Sequence, residues 1–281
     1  MISQSPPWPT SEDVAHFEEY GWVTSPQLIP EELLDEAVEA TEAYYLGERD
    51  HQLPIQGGFL DWRPEHGEGL RLNDYVSLQS ETFLKLISWP DIGRAAAALI
   101  GAEKVRLFHD QLITKPPVSS GINTTIGWHT DKSYWQTCSS KRMLTAWIPL
   151  QDSPEDSGPL AVVDGSHKWE GTDWMTTFVL QDFAAIESQL GRAINARPIA
   201  LRRGQISFHH ARTIHGSYPN RGDQFRTALT VHLQDDENSY QRVMDSNGRL
   251  KVHVNDVLCR KNANGDPDYS DPSICPTLWP I

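Results

Sequence analysis

Phe225-Arg226-Thr227-Ala228-Leu229-Thr230-Val231-His232-Leu233 alternates without a break. Its odd-numbered positions are apolar or threonine. A period of two marks a β-strand with one face against a core. The even-numbered face begins Arg226, Ala228, Thr230, and the two small residues leave space beside the guanidinium. A buried arginine needs a partner, because an unpaired charge out of water is expensive. Two partners fit: a protein acid such as Asp223, or an incoming carboxylate held by two parallel hydrogen bonds. Lysine cannot make that second grip.

Working outward, residues 104–114 also alternate and stop at Pro116-Pro117, a second strand. Short strands are expected at 124–130, 144–149, 160–164 and 206–210. Ser157-Gly158-Pro159, Asp164-Gly165-Ser166, Arg203-Gly204 and Asn220-Arg221-Gly222 separate them. Many short strands with such punctuation predict a mainly β double-sheet barrel of the jelly-roll kind.

Helices gather before this region. Thr10 or Ser11 caps one that carries Val14, Phe17 and Tyr20 and stops at Gly21, with a short strand at Trp22-Val23. Pro30 opens a second in its first turn, and Gly47 ends it. An alanine-rich third runs over 91–100 to Gly101. Residues 47–75, with Gly57-Gly58 and Asp61-Trp62-Arg63-Pro64, read as a long loop and candidate lid. The expected organisation is one domain over 1–281: a helical buttress and lid loop (1–103), a β core (104–233) with a partly helical insertion (169–191), and a polar extension (234–281). The extension is a second candidate lid and has one strand-like run at 250–254.

Composition narrows the partners. A 38% hydrophobic fraction supports a substantial core. A net charge of −14 disfavours nucleic-acid backbones and anionic membrane surfaces. Three cysteines without a CxxC spacing, Cys138, Cys259 and Cys275, suit free thiols in a reducing cytoplasm. Residues 1–9 lack the basic and apolar regions of a signal peptide. No apolar run approaches a membrane span. Oligomeric state is not legible; no heptad is present.

Trp128-His129-Thr130-Asp131 supplies chemistry. In a strand, His129 and Asp131 project to one side while Thr130 points away. Alone, His-x-Asp is weak and commonly solvated surface. A second imidazole must come from elsewhere. His215, before Gly216, is in step with Arg226, while His209 and His210 compete with it. Two imidazoles and one carboxylate with open positions suit non-haem Fe(II) rather than a closed zinc site.

Together these residues resemble the phytanoyl-CoA dioxygenase family of Fe(II)/2-oxoglutarate oxygenases, in its ectoine-hydroxylase-like bacterial branch. The resemblance runs from about Leu107 to Leu233. It rests on Gln111-Leu112-Ile113-Thr114-Lys115-Pro116-Pro117, Trp128-His129-Thr130-Asp131, Ala146-Trp147, Gly158-Pro159-Leu160, Asp164-Gly165-Ser166-His167, and His215-Gly216-Ser217 with Arg226. It implies a double-stranded β-helix fold and His129, Asp131 and His215 as iron ligands. It implies Arg226 and Ser217 at the distal carboxylate of 2-oxoglutarate, with Gln111 and Trp147 beside the cosubstrate. For Lys115 a place at the cosubstrate and a purely structural Lys-Pro-Pro turn both stay open, and His167 is expected to be structural. Asp131 stands where related halogenases have a small residue, so halogenation is disfavoured.

The implied activity is hydroxylation of an unactivated C–H bond with O2, releasing succinate and CO2. Desaturation, epimerisation or cyclisation at the same iron, or a non-catalytic 2-oxoglutarate-binding protein, are the alternatives. Lys132, Tyr134 and Trp135, just after the motif, and Phe59 in the early loop are candidate substrate contacts. Any one of these aromatics can instead simply pack the barrel rim. No basic tract matches the phosphates of a CoA thioester, which points to a free small molecule, such as a secondary metabolite.

Overall fold

The computed structural model describes residues 8–118, 121, 124–176 and 182–280. Residues 1–7, most of the stretch read as lacking signal-peptide character, lie outside the described residues, as do 177–181 of the insertion. Helix α1 (Ser11–Tyr20) is capped by Thr10: its side chain accepts from Asp13 N, and Asp13 returns the bond to Thr10 N. It stops at Gly21 (φ 78°), where an added Cβ would lie 2.3 Å from the His167 ring. Strand β1 (Trp22–Thr24) follows. Helix α2 (Glu31–Tyr45) buries Leu33, Leu34, Ala37, Thr41, Tyr44 and Tyr45, a stripe at helical spacing. Each leucine so buried contributes about 1.5–3 kcal/mol. Pro30 is not in the first turn but at the extended cap position before it.

The chain continues through β2 (Arg71–Asp74), α3 (Val76–Gln79), α4 (Glu81–Ile87) and α5 (Pro90–Ile100). Next come β3 (Val105–Lys115), β4 (Ile126–His129), α6 (Asp131–Tyr134), β5 (Leu144–Pro149) and β6 (Leu160–Val163). Helix α7 (Phe183–Leu190) lies in the insertion. It leads to β7 (Ala196–Pro198), β8 (Ser207–His210), β9 (His215–Ser217) and β10 (Arg226–Asp235). Helix α8 (Val254–Leu258) and β11 (Thr277–Trp279) complete the order.

Two antiparallel sheets face each other, the double-stranded β-helix expected. The larger runs β1-β8-β5-β10-β3-β11, with β2 also on β3; the smaller runs β4-β9-β6-β7. One face of the larger sheet carries Leu112, Leu144, Ala146, Ile148, Phe208, Leu229 and Val231. They form one apolar cluster with Phe17, Leu34, Tyr44, Phe83, Leu86 and Ala96 of the helices. The helices seal that face, leaving the opposite face of the larger sheet to line a cavity with the smaller one.

Alternation along β3 and β10 decides what enters the cavity. On β3, Phe108, Asp110 and Leu112 are fully buried, whereas His109, Gln111 and Ile113 keep 8%, 9% and 6% exposure. On β10 the facing residues are Arg226, Ala228, Thr230 and His232. The register pairs Thr230 with Gln111 and His232 with His109, then Leu233 with Leu107. Phe108 is therefore the extra residue of a β-bulge, which re-aims the strand at His109.

Several expectations change. Residues 250–254 form no strand. Val254 starts α8 instead, because His253 accepts from Asn255 N while Asp256 accepts from His253 N. Local side-chain capping outweighs a weak alternation there. The loop read over 47–75 ends early in β2, whose extended backbone pairs with β3. Strands β7 and β11 and helices α3 and α4 carried no sequence signal strong enough to read. Among the described residues, no helix is long and apolar enough to cross a membrane.

Candidate active site

The local backbone brings the three expected ligands together differently from a plain strand. Strand β4 stops at His129, Thr130 stays extended (φ −117°, ψ 141°), and Asp131 opens the short helix α6. His215 starts β9 and pairs directly with His129. Gly216 makes this approach possible: a Cβ there would lie 2.8 Å from Ile126 O and 3.1 Å from the Trp128 ring. The imidazoles of His129 and His215 sit 4.2 Å apart, centre to centre. Asp131 Oδ1 lies 3.4 Å from His215 Nε2 and 3.9 Å from His129 Nε2. All three residues are buried, and their donor atoms fall within 4.8 Å of one another.

Outer contacts set which atoms point inward. His129 Nδ1 donates to Gly127 O (2.8 Å), and His215 Nδ1 donates to Thr213 O (2.9 Å). Both Nε2 lone pairs therefore converge on the space beside Asp131, the arrangement a metal-ligating histidine requires. Burial pushes His129 down to about 3, with the neighbouring His215 adding to it, so this imidazole is neutral and ready to ligate. Burial would lower His215 too, but the Asp131 charge and hydrogen bond outweigh it and raise His215. Asp131 is held well below its ordinary value: burial opposes this, and the imidazoles of His215, His232 and His209 overcome it. Asp131 Oδ2 accepts from Thr145 Oγ1 (2.6 Å) and from His209 Nε2 (3.3 Å), and Thr145 also bonds His232 Nδ1 (2.8 Å).

The triad lines a cavity that also takes in Ile113, Leu160, Thr230 and Arg226. At one end Arg226 is 2% exposed. Its Nη2 donates to Gly158 O (2.9 Å), while Nε and Nη1 have no hydrogen-bond partner among the described residues. The salt bridge to Asp223 does not form among the described residues. Burial pulls the guanidinium down to about 9, which still leaves it charged at neutral pH. The Trp147 ring lies 5.3 Å from its Cζ. Ser217 Oγ accepts from Lys115 Nζ (2.6 Å), which also donates to Tyr218 O (2.7 Å). The fully buried Lys115 is thus a hydrogen-bond donor of this end, a role the sequence reading did not assign to it. Its pKa is lowered well below the ordinary range by burial, then by Arg226.

The other expected residues divide. Gln111 lines the cavity and donates from Nε2 to Asp74 Oδ1 (2.7 Å). Trp135 is buried, edge-on to His232 at 4.7 Å, and Tyr134 sets its ring against His129 at 5.9 Å. Phe59 packs edge-on to Tyr75 at 6.4 Å. Lys132 is turned away, donating to the carbonyls of Trp135 (3.4 Å), Cys138 and Ser140 (3.2 Å). His209 lines the cavity, but its Nε2 serves Asp131, so it supports a ligand rather than replacing His215. His210 bonds Lys141 O (2.9 Å) away from the triad, and His167 bonds Glu18 O (3.2 Å). The sequence reading gave no role to Thr145, His232, His109 or Asp74. Only the even-face alternation of β10 pointed to His232.

The chain is 24% identical over 204 residues to the peroxisomal phytanoyl-CoA dioxygenase of Bos taurus, covering 69% of this chain and 58% of that protein. It spans about half the length of the curated relatives it matches. Among solved structures, the non-haem epimerase SnoN, in complex with Fe3+, alpha ketoglutarate and nogalamycin RO, superposes with a TM-score of 0.68. That match has 22% identity and covers 95% of this chain and 97% of SnoN. EctD from S. alaskensis, with 2-oxoglutarate and 5-hydroxyectoine, gives a TM-score of 0.65 at 16% identity, over 83% and 78% of the two chains. These likenesses carry the fold. The phytanoyl-CoA dioxygenase model matches residues 17–228, from α1 through both halves of the triad to the cavity face of β10, and the chain belongs to that family.

Proposed function

We propose that the protein is a non-haem Fe(II)/2-oxoglutarate-dependent dioxygenase that hydroxylates an unactivated C–H bond of a small molecule. The observation that carries this reading is the pairing of a triad of inward-facing donors with an orphaned guanidinium in one cavity. Both groups pass a test of fit. Two imidazoles and a carboxylate, with their outer atoms already satisfied, suit iron with positions left open. Unpaired N–H donors on a buried planar cation suit an incoming carboxylate.

His129, Asp131 and His215 would hold the metal, and Arg226, Ser217 and Lys115 would hold the distal carboxylate, with Gln111 and Trp147 beside it. Iron with 2-oxoglutarate and O2 supplies the oxidising power that breaks a C–H bond, releasing succinate and CO2. The chain's own contribution is orientation and exclusion of water. Lys115 donates to Ser217 Oγ, so the Ser217 hydroxyl keeps its proton for a bound anion. Thr145 and His209 keep Asp131 ionised and fixed in rotation. The helices close the back of the larger sheet. Three free buried thiols suit a reducing compartment such as the cytoplasm.

Anaerobic addition of Fe(II) and 2-oxoglutarate tests the reading. A weak visible charge-transfer band, lost in Arg226→Ala, is expected, followed by succinate release with substrate and one atom of labelled O2 in the product. Iron bound without the band would overturn the cosubstrate assignment. Succinate release with an unoxygenated, rearranged product would keep the iron centre and replace hydroxylation.

A further inference from the structure

The end of the cavity opposite Arg226 is built as carefully, from residues with no part in holding metal or cosubstrate. His109 lies on the same face of β3 as the cavity-lining Gln111 and Ile113, beside the Phe108 bulge, and pairs with His232, which also lines the cavity. Its Nε2 lies 3.4 Å from Asp74 Oδ1. Asp74 is nearly buried, and its other oxygen accepts from Leu60 N (2.7 Å). Burial would raise the Asp74 pKa, but the bond and charge of His109 and the N–H groups of Leu60 and Gln111 lower it. The carboxylate is therefore charged and acceptor-only, so Nε2 is the His109 nitrogen that faces it as a donor and Nδ1 is the one left for another partner. No hydrogen bond from Nδ1 to a described residue is present.

The ring is clamped on several sides. His232 stacks on it at 5.2 Å and 20°, Tyr75 lies at 4.5 Å, and His253 stands edge-on at 5.8 Å. Tyr75 is the one non-glycine residue with positive φ among the described residues (56°). Such a conformation costs about 1–3 kcal/mol and persists only where the surroundings impose it. Here Tyr75 N donates to Asp110 O (2.8 Å), and its hydroxyl donates to Asn255 Oδ1 (2.6 Å). Lys132, the cation next to the triad in sequence, is committed to carbonyls.

We propose that the Asp74-oriented His109 anchors the substrate, its Nδ1 accepting a hydrogen bond from a hydroxyl of a neutral, ring-bearing small molecule. This rests on the oxygenase reading and names its substrate class. A neutral hydroxyl matches a lone pair backed by a carboxylate, whereas an anion would be repelled by Asp74. A flat ring matches the aromatic surroundings of His109, where Tyr75 and His232 lie against its ring and Trp135 against that of His232.

The test uses the Fe(II)- and 2-oxoglutarate-loaded protein without oxygen, titrated with 1-naphthol and with 1-methoxynaphthalene, which keeps the ring and loses the donor. Binding is read from naphthalene fluorescence, and the charge-transfer band is recorded on the same samples. Wild type should bind the naphthol about 10-fold more tightly than the ether, one buried hydrogen bond's worth. His109→Phe should bring the ratio to near one, and His109→Gln, which offers an amide acceptor, should restore part of it. No naphthol preference in wild type, no binding of either probe, or a preference retained in His109→Phe would each overturn the proposal. An absent band with the preference intact would sink the oxygenase reading instead.

Discussion

The two ends of the cavity are built on the same pair of strands and solve opposite problems. At the arginine end, β10 contributes Arg226 and β3 contributes Lys115, with no acid against either among the described residues. At the histidine end, the same strands contribute His232 and His109, and Asp131 and Asp74 answer them. One end keeps positive charge unpaired in a dry site, which is costly in the empty protein and favourable only when an anion arrives. The other neutralises itself and leaves a single acceptor. On the proposed reading, cosubstrate recognition would be carried by a stored electrostatic deficit, and the substrate end by hydrogen-bond geometry.

The largest effect should come from the triad between the ends. His129→Ala or Asp131→Ala should abolish the charge-transfer band and cut turnover by more than ~100-fold, beyond what loss of an outer partner costs. Retained iron binding in both variants would break the assignment of the metal site. Next, Arg226→Met should raise the KM for 2-oxoglutarate by about 30-fold or more, from ~2 kcal/mol or more of lost charged contact. The same variant should melt higher than wild type when no 2-oxoglutarate is present, because an apolar side chain replaces an unpaired ion. Each ~1 kcal/mol gained corresponds to ~2–4 °C in a domain of roughly this size. A lower melting temperature would mean that Arg226 is paired in the empty protein, and the contrast between the ends would fail.

Thr145→Val should weaken iron binding by about 10–100-fold, since it removes the hydroxyl that fixes Asp131. With iron in excess, its KM for 2-oxoglutarate should stay close to wild type, which separates the histidine end from the arginine end in a steady-state assay. Lys115→Met should act on the opposite parameter, raising that KM by about 3–10-fold, the size of one hydrogen bond passed through Ser217. An effect of Lys115→Met on iron affinity alone would contradict its place at the arginine end. Smallest, Glu36→Gln breaks the exposed ion pair with Lys85 between α2 and α4. It should change stability by under ~1 kcal/mol in urea unfolding and leave both binding parameters as they are.

Much of this site was legible because it sits on simple periods. The alternation of 225–233 put Arg226 on the inward face, and the spacing of His129 and Asp131 held although Asp131 belongs to α6 rather than to a strand. Gly216 beside His215 gave the close approach of β9 to β4. The failures have physical causes. Lys115 precedes two prolines, and that turn chemistry hid an amino group buried against Ser217. Residues 250–254 alternate, yet a cap at His253 bends the chain into α8.

The amino-acid sequence by itself determined the elements and the inventory: which stretches take a two-residue period, where glycine and proline interrupt them, and which side chains can ligate or grip an anion. These are local properties, fixed by backbone sterics and by the chemistry of each residue. Only the tertiary structure decided that His215 rather than His209 gathers with His129 and Asp131, that Asp223 makes no ion pair with Arg226, and that Phe108 is the bulged residue beside His109. Those outcomes depend on the register between strands far apart in the chain. A shift of one residue would exchange cavity face for core face along the whole of β3.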